Sequence, residues 1–425
     1  MILAISLSAA LAAALAGCGT AAGTSSEGNT SVEIATVSTT PEQTETTTTT
    51  TAAVSSGGAI DAVDLFTERD LEQSADLSEA VSKTISDGET YEITTAGVYV
   101  ISGTASDAQI VVDAGDEDKV QIVLDGVSIT NSSIPCIYVK NADKVFVTTT
   151  DSTNSLSVTG TFTEDGDTKT DAVIFSKDDL VLNGTGTLKI ESSDNAVACK
   201  DDLKITGGTY KISCADAAFE ANDSIAIADG SITITQCNDA LHAENDEDDS
   251  VGYIYICGGS FDITAADDAI HGTTIVQIDD GDFTISAAEA IEATWVQING
   301  GTIDISASDD GINAANKSSA YSPVAEINDG TITISMGAGD TDAIDSNGDL
   351  YINGGTLNIT AQSAFDYDGN AIKNGGTIIV NGTETDTISN QFGGGMGGGP
   401  QGGMGGHGGG PQGGMGGGPQ GGGRP

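Results

Sequence analysis

Residues 298–313 read INGGTIDISASDDGIN. A short apolar strand meets a Gly-Gly turn, residues 302–307 alternate polar with apolar, and an acidic pair then precedes Gly311 and Ile312. Alternation with period two marks a strand that buries one face. The unit recurs as ITGGTYKI at 205, IADGSITI at 227, ICGGSFDI at 256, IDDGDFTI at 278, INDGTITI at 327 and INGGTLNI at 352. A third short element follows each time: DNAVA at 194, DAAFE at 216, NDALH at 238, DDAIH at 267, AEAIE at 288, DDGIN at 309, TDAID at 341 and QSAFD at 362. Most steps are 21 or 22 residues, and insertions near 244–251 and 316–323 lengthen two of them.

A repeat of this length with three short strands and no helical period predicts an all-β solenoid, a parallel β-helix of roughly 22 residues per rung. The Leu-x-x-Leu-x-Leu pattern of a leucine-rich repeat is missing. Rungs stack about 4.8 Å apart. One rung cannot bury its own apolar face, so Val197, Phe219, Leu241, Ile270, Ile291, Ile312, Ile344 and Phe365 are expected to form a shared inward ladder. Segments such as VQIVLDGVSIT at 120 extend the pattern back towards residue 90.

Stacking turns scattered acids into columns. Asp239, Asp268, Glu289, Asp310 and Asp342 fall in one register, Asp267 and Asp309 in a second, and His242, His271, Glu292, Asn313, Asp345 and Asp366 in a third. Carboxylates about 5 Å apart repel by roughly 3 kcal/mol at an effective dielectric near 20. Protons or cations relieve that repulsion. Calcium, with six to eight oxygen ligands in flexible geometry, suits carboxylates and turn carbonyls on adjacent rungs. The expected ligands are Asp239, Asp267, Asp268, Glu292, Asp309, Asp310, Asp342 and Asp345. The competing reading is a solvated acidic turn in which Asp and Asn cap backbone amides. ENDEDD at 244–249 and EDGDTKTD at 164–171 do not match an EF-hand loop. His242 and His271 read as polar turn residues, because two histidines among many oxygens favour a hard ion over zinc.

The chain carries 63 acidic and 14 basic residues, a formal charge of −49. That field excludes nucleic acid as a partner and favours cations. Residues 1–18 end in an apolar stretch before Cys18 and read as a lipoprotein signal, lipidated at Cys18, with an ordinary secretory signal as the alternative. Either exports the protein, and the first anchors it to the outer face of the membrane. Residues 19–60, rich in Ser and Thr, read as a disordered tether; 61–90 as an N-terminal cap with one short helix; 91–390 as the β-helix; 391–425 as a disordered Gly-rich tail. The remaining cysteines, Cys136, Cys199, Cys214, Cys237 and Cys257, lack metal spacing and read as small buried thiols, with one disulfide still open.

ERDLEQSADLSEA at 68, AGVYVISGT at 96 and DKVQIVLDGVSITNSSIPCIYVKNADKVFVTTTD at 118, with the repeated Gly-Gly and Asp-Asp units and the Gly-Met-Pro-Gln tail, resemble secreted bacterial carbohydrate-binding proteins of right-handed parallel β-helix fold. The resemblance covers about residues 61–390. It implies a monomeric, non-catalytic, calcium-binding cell-surface module for plant-type polysaccharides, acidic ones included. Fold alone leaves a calcium-dependent uronate lyase or polygalacturonase open, and also an adhesin or spacer with a protein partner. A lyase needs a strong base, and arginine occurs only at Arg69 and Arg424. Lys177, Lys200, Lys204 and Lys211 are the lysines near the ridge. A catalytic acid pair should be singular, whereas this one repeats. For a binder, outward aromatics and amides would stack on sugar rings. Tyr253, Tyr255, Gln277, Trp295, Gln297 and Tyr351 are expected to form such a strip, with Trp295 alternatively plugging a turn.

Overall fold

A computed structural model describes residues 59 to 390, apart from Asp246 and Asp340. The signal, Cys18, the tether to residue 58 and the tail lie outside the described residues.

The described residues form 34 strands and no helix. They pair into three parallel ladders. The first runs through Asn195–Cys199, Phe219–Ala221, Leu241–Ala243, the start of Asp268–Ile278, the start of Glu289–Ile298, Asp310–Ala314, Asp342–Ser346 and Ser363–Tyr367. The second joins Asp202–Ile205, Ser224–Ile227, Tyr253–Ile256, the ends of the two long strands, Val324–Ile327 and Asp349–Ile352. The third joins Thr209–Ser213, Ser231–Gln236, Ser260–Thr264, Asp282–Ala287, Thr302–Ala307, Thr331–Met336, Thr356–Thr360 and Thr377–Val380. An all-β chain of stacked parallel strands is consistent with a β-helix or solenoid.

Local chemistry explains the register. In Thr302–Ala307 the residues Ile303, Ile305 and Ala307 are buried while Thr302, Asp304 and Ser306 face solvent. The column Val197, Phe219, Leu241, Ile270, Ile291, Ile312, Ile344 and Phe365 is paired rung to rung and fully buried. Each such side chain contributes about 2 kcal/mol of burial, and a one-residue slip would turn it to water. At the Gly300–Gly301 turn, a Cβ on Gly300 would lie 2.4 Å from the Asp279 carbonyl oxygen of the rung below. Gly301 has φ +88°, a conformation that favours glycine. The asparagines beside these turns chain together: Asn374 donates to Asn353, Asn353 to Asn328 and Asn328 to Asn299, each at 2.7 Å.

The last rung closes by a device of its own. Thr377–Val380 folds back antiparallel onto Thr383–Thr385 through Asn381 and Gly382, both at positive φ. Asn-Gly is the preferred two-residue hairpin turn, and the extra strand covers an edge that would otherwise accept another chain.

The N-terminal segment departs from expectation. No helix forms over 61–82. Asp70 and Thr67 accept from each other's amides at 2.9 and 3.2 Å, and Asp61 and Asp76 accept amides two residues on, so side chains take the donors a helix would need. Instead of sitting on the end of the stack as a cap, residues 59–73 run along its flank as a strap over the second ladder. The Ala59 and Ile60 amides donate to Gln297 and Gln277, Phe66 packs on Tyr255, Arg69 stacks over Phe146, and the Gln73 side chain bonds the Thr206 carbonyl and the Gly184 amide. Asp70 is fully buried, 3.7 Å from both Lys144 and Lys204.

Candidate functional site

The first ladder starts at the acidic turns, so its register decides what the acids can do. Glu220, His242, His271, Glu292, Asn313, Asp345 and Asp366 are paired in sequence from rung to rung. Asp268 pairs with Glu289, and Asp310 with Asp342. Part of this column caps backbone: the Asp268 amide donates to Asp239 at 3.0 Å and the Asp342 amide to Asp310 at 3.1 Å.

The ridge divides by charge. In its first part, Asp239 lies 3.2 Å from His242 Nδ1, and His271 Nδ1 sits 2.8 Å from Asp268 and 2.9 Å from Glu292. Lys317 reaches Glu292 at 2.8 Å. Burial works against ionisation of Asp239, His242, His271, Glu292 and Lys317. For Asp239 the His242 bond outweighs it, and for Glu292 the His271 and Lys317 bonds do, so both carboxyls fall below their usual range. Burial likewise opposes charge on His271, but its bonds to Asp268 and Glu292 prevail and raise it to about 9. Asp239, Asp268 and Glu292, three of the expected calcium ligands, are paired here with two histidines and the lysine of the 316–323 insertion.

Further along, compensation stops. Burial, then Asp345, Asp309 and Asp342, push Asp310 up to about 7 despite the amide it caps. Burial with Asp366 and Asp342 takes Asp345 to about 6. Glu289 is raised by burial and by Glu292 and Asp268. Asp342 bonds the Ser363 hydroxyl, while Asp309 and Asp267 are exposed. Among the described residues, Asp309, Asp310, Asp342 and Asp345 do not bring three ligand oxygens within 4.8 Å of one another. Asn313 donates to Glu289 and Glu292 at 2.9 and 3.1 Å, leaving its buried Oδ1 without a partner.

One cluster was not anticipated. Asp179, Asp201 and Asp202 bring one oxygen each within 4.8 Å. They lie at the turn before the second ladder, and burial followed by Asp179, Asp202 and Asp223 raises Asp201 to about 6. Lys144 touches Asp179 at 3.2 Å. The signal was present: Lys-Asp-Asp-Leu occurs at 177 and again at 200, in register through Leu180 and Leu203.

The expected sugar strip is half covered. Tyr255, Gln277 and Gln297 are buried beneath the strap, which satisfies the amide oxygens of Gln277 at 2.7 Å and Gln297 at 2.8 Å. Tyr255 donates to Asp279 at 2.7 Å. Period-two alternation marks these positions as outward, but it carries no information about a distant segment that lies on top. Tyr253, Trp295 and Tyr351 are half-buried. Trp295 pairs with Ile275 and Val324, its Nε1 is buried without a partner, and its ring lies 6.4 Å from that of Tyr321. Tyr321, supplied by the 316–323 insertion, is exposed and was missed because an insertion has no register to read.

Lys200 and Lys204 are engaged, with Glu220 at 2.8 Å and beside Asp70 under the strap; Lys177 and Lys211 are exposed. Cys136, Cys199, Cys214 and Cys237 are unpaired and buried, and burial raises each thiol. An open groove of about 580 Å³ runs beside the first ridge, bordered by Lys200, Asp216, Glu220, Asp239, His242 and Glu244.

A solved structure described as the polysaccharide lyase-like protein from C. thermocellum, gadolinium derivative, aligns at 24% identity over 68% of this chain and 99% of that one. Its TM-score of 0.39 leaves the fold to rest on the strand pairing alone. A carbohydrate-binding domain-containing protein of Acetivibrio thermocellus is 40% identical over 121 residues, 28% of this chain and 42% of that protein. The shared segment thus spans less than half the length of that relative. The model of a family described as carbohydrate-binding domain-containing protein matches residues 87–340 and 289–392. That match takes in both acidic turns and all but the strap and first strand of the stack, and the chain belongs to this family of carbohydrate-binding domain-containing proteins.

Proposed function

We propose that this chain is a cell-surface module that binds plant-type polysaccharides, acidic ones among them, through calcium ions held on its acidic turns. The reading takes the stack as a right-handed β-helix with about 22 residues per rung, and Cys18 as its lipid anchor. The observation that carries it is the run of half-buried acids on successive rungs: Asp310, Asp345 and Asp366. Burial and neighbouring acids raise the proton affinity of Asp310 and Asp345, the condition that an oxygen-seeking cation relieves. Asp179, Asp201 and Asp202, already converged, supply a second all-oxygen ligand set. A calcium ion with unfilled positions can take a uronate carboxylate as a further ligand. Trp295 and Tyr321 offer a stacking surface for neutral sugar rings.

Calorimetry on the chelated chain tests the metal. We expect heat on calcium addition, a raised melting temperature, and loss of both when Asp310 and Asp345 are replaced by Asn together with Asp201→Asn. Polygalacturonate retained on the chain in EDTA as firmly as in calcium would refute the bridging route.

A further inference from the structure

The two histidines of the ridge are arranged as metal ligands of a different class. His242 and His271 are rung neighbours, and their rings stack at 4.7 Å with 14° between planes. Each ring turns Nδ1 to an aspartate three residues earlier, Asp239 at 3.2 Å and Asp268 at 2.8 Å, and Glu292 adds a second contact to His271 Nδ1 at 2.9 Å. Carboxylates on Nδ1 hold a proton there and orient the ring, so that Nε2 becomes the ligand atom when a metal ion displaces its proton, the arrangement that supports histidines bound to zinc. His242 Nε2 meets Glu244 at 3.1 Å. His271 is 7% exposed, and its Nε2 has no hydrogen-bond partner among the described residues.

We propose that His242, Glu244 and His271 form a binding site for a transition-metal ion of the zinc class, with Asp239, Asp268 and Glu292 as positioning residues. Ligand atoms from the three lie within 4.8 Å of one another. Two imidazole nitrogens select zinc, nickel or copper over calcium, which takes oxygen. Three protein ligands leave a position open, and His242 and Glu244 border the 580 Å³ groove from which water or a ligand oxygen can fill it. Glu244 opens the 244–251 insertion, so the third ligand comes from the segment that interrupts the repeat. The site does not rest on the calcium reading, whose ligands are oxygens elsewhere on the turns.

Zinc titration into the tag-free full chain tests this, using His407→Ala as the parent because His407 is the one other histidine in the sequence. Calcium is present in excess throughout, so that oxygen sites are filled. We expect one zinc equivalent per chain by chelator competition, and cobalt bound in its place should show visible bands of four- or five-coordinate nitrogen–oxygen ligation. His242→Gln and Glu244→Gln should weaken zinc by at least about tenfold, and Asp239→Asn by about tenfold through the oriented ring. Calcium calorimetry should be unchanged in His242→Gln. Should His271→Gln fail to fold, the less buried His242 and Glu244 variants still decide the matter. Zinc affinity unaltered in His242→Gln, displacement of zinc by excess calcium, or no stoichiometric zinc at all would each overturn the proposal.

Discussion

Asp310 and Asp345 hold protons more firmly folded than unfolded, at about 7 and about 6 against an ordinary 3.8. The folded chain therefore binds more protons than the unfolded one between pH 4 and 7, and stability falls as pH rises through that window. Asp239 and Glu292 act in the opposite sense, because their lowered values give stability above the ordinary carboxylate range that acid removes. We expect the metal-free chain to melt highest near pH 5 and several degrees lower at pH 7.5. After discounting for solvent screening, the loss is about 1–2 kcal/mol. Asp310→Asn should flatten the decline, and calcium should raise the melting temperature more at pH 7.5 than at pH 5, where protons compete for the same oxygens. Differential scanning calorimetry across pH with EDTA or calcium reads this directly; a metal-free profile rising to pH 7.5 would contradict it. The columns behind this prediction were legible, since period and register alone align Asp310 with Asp342 and Asn313 with Asp345. What each acid meets was not. Whether an aspartate faces a histidine, an amide or another acid depends on side-chain direction at a turn, which spacing does not encode.

Gly-Gly turns and period-two strands were readable because each follows from local backbone physics, and the Asn381–Gly382 hairpin obeys the same local rule. The strap was unreadable for the opposite reason. Its anchors join residues more than a hundred positions apart, such as Gln73 to Thr206 and Asn183 to Glu72. Asp70 holds it from below, fully buried between Lys144 and Lys204, with its main-chain carbonyl bonded by Thr206. Removing that carboxylate leaves two largely buried ammonium groups with only Asp179 and the Leu65 carbonyl as partners, at a cost of about 3 kcal/mol. Asp70→Ala should therefore lower stability by that amount and speed proteolysis within residues 59–80 while strands beyond residue 90 stay protected. Peptide mapping after brief proteolysis distinguishes the outcomes, and uniform cleavage along the whole stack would refute an independent strap. The asparagine ladder gives a second test at this scale. Asn328→Ala deletes one bond to Asn299 and one from Asn353, and should cost about 2 kcal/mol with strand content unchanged by circular dichroism.

Net charge acts on the whole molecule. At −49, the chain repels a polyuronate over roughly the Debye length, about 10 Å at 0.1 M salt. Sodium chloride screens that repulsion but builds no bridge, because monovalent ions do not hold two carboxylates in one coordination shell. Divalent ions do both. The expected order of polygalacturonate binding is then nil in EDTA at low salt, weak in EDTA at 0.5 M sodium chloride, and strong in millimolar calcium at either salt. A neutral polysaccharide should be indifferent to calcium and should respond instead to Trp295→Ala, since its route is ring stacking against Trp295 and Tyr321. Affinity electrophoresis with each polymer, run in EDTA, sodium chloride and calcium, separates the two routes. Were 0.5 M sodium chloride to restore polygalacturonate binding as fully as calcium does, the repeated acids would be solubilising charge rather than a metal-borne sugar site, and the stacking surface would be left to account for binding.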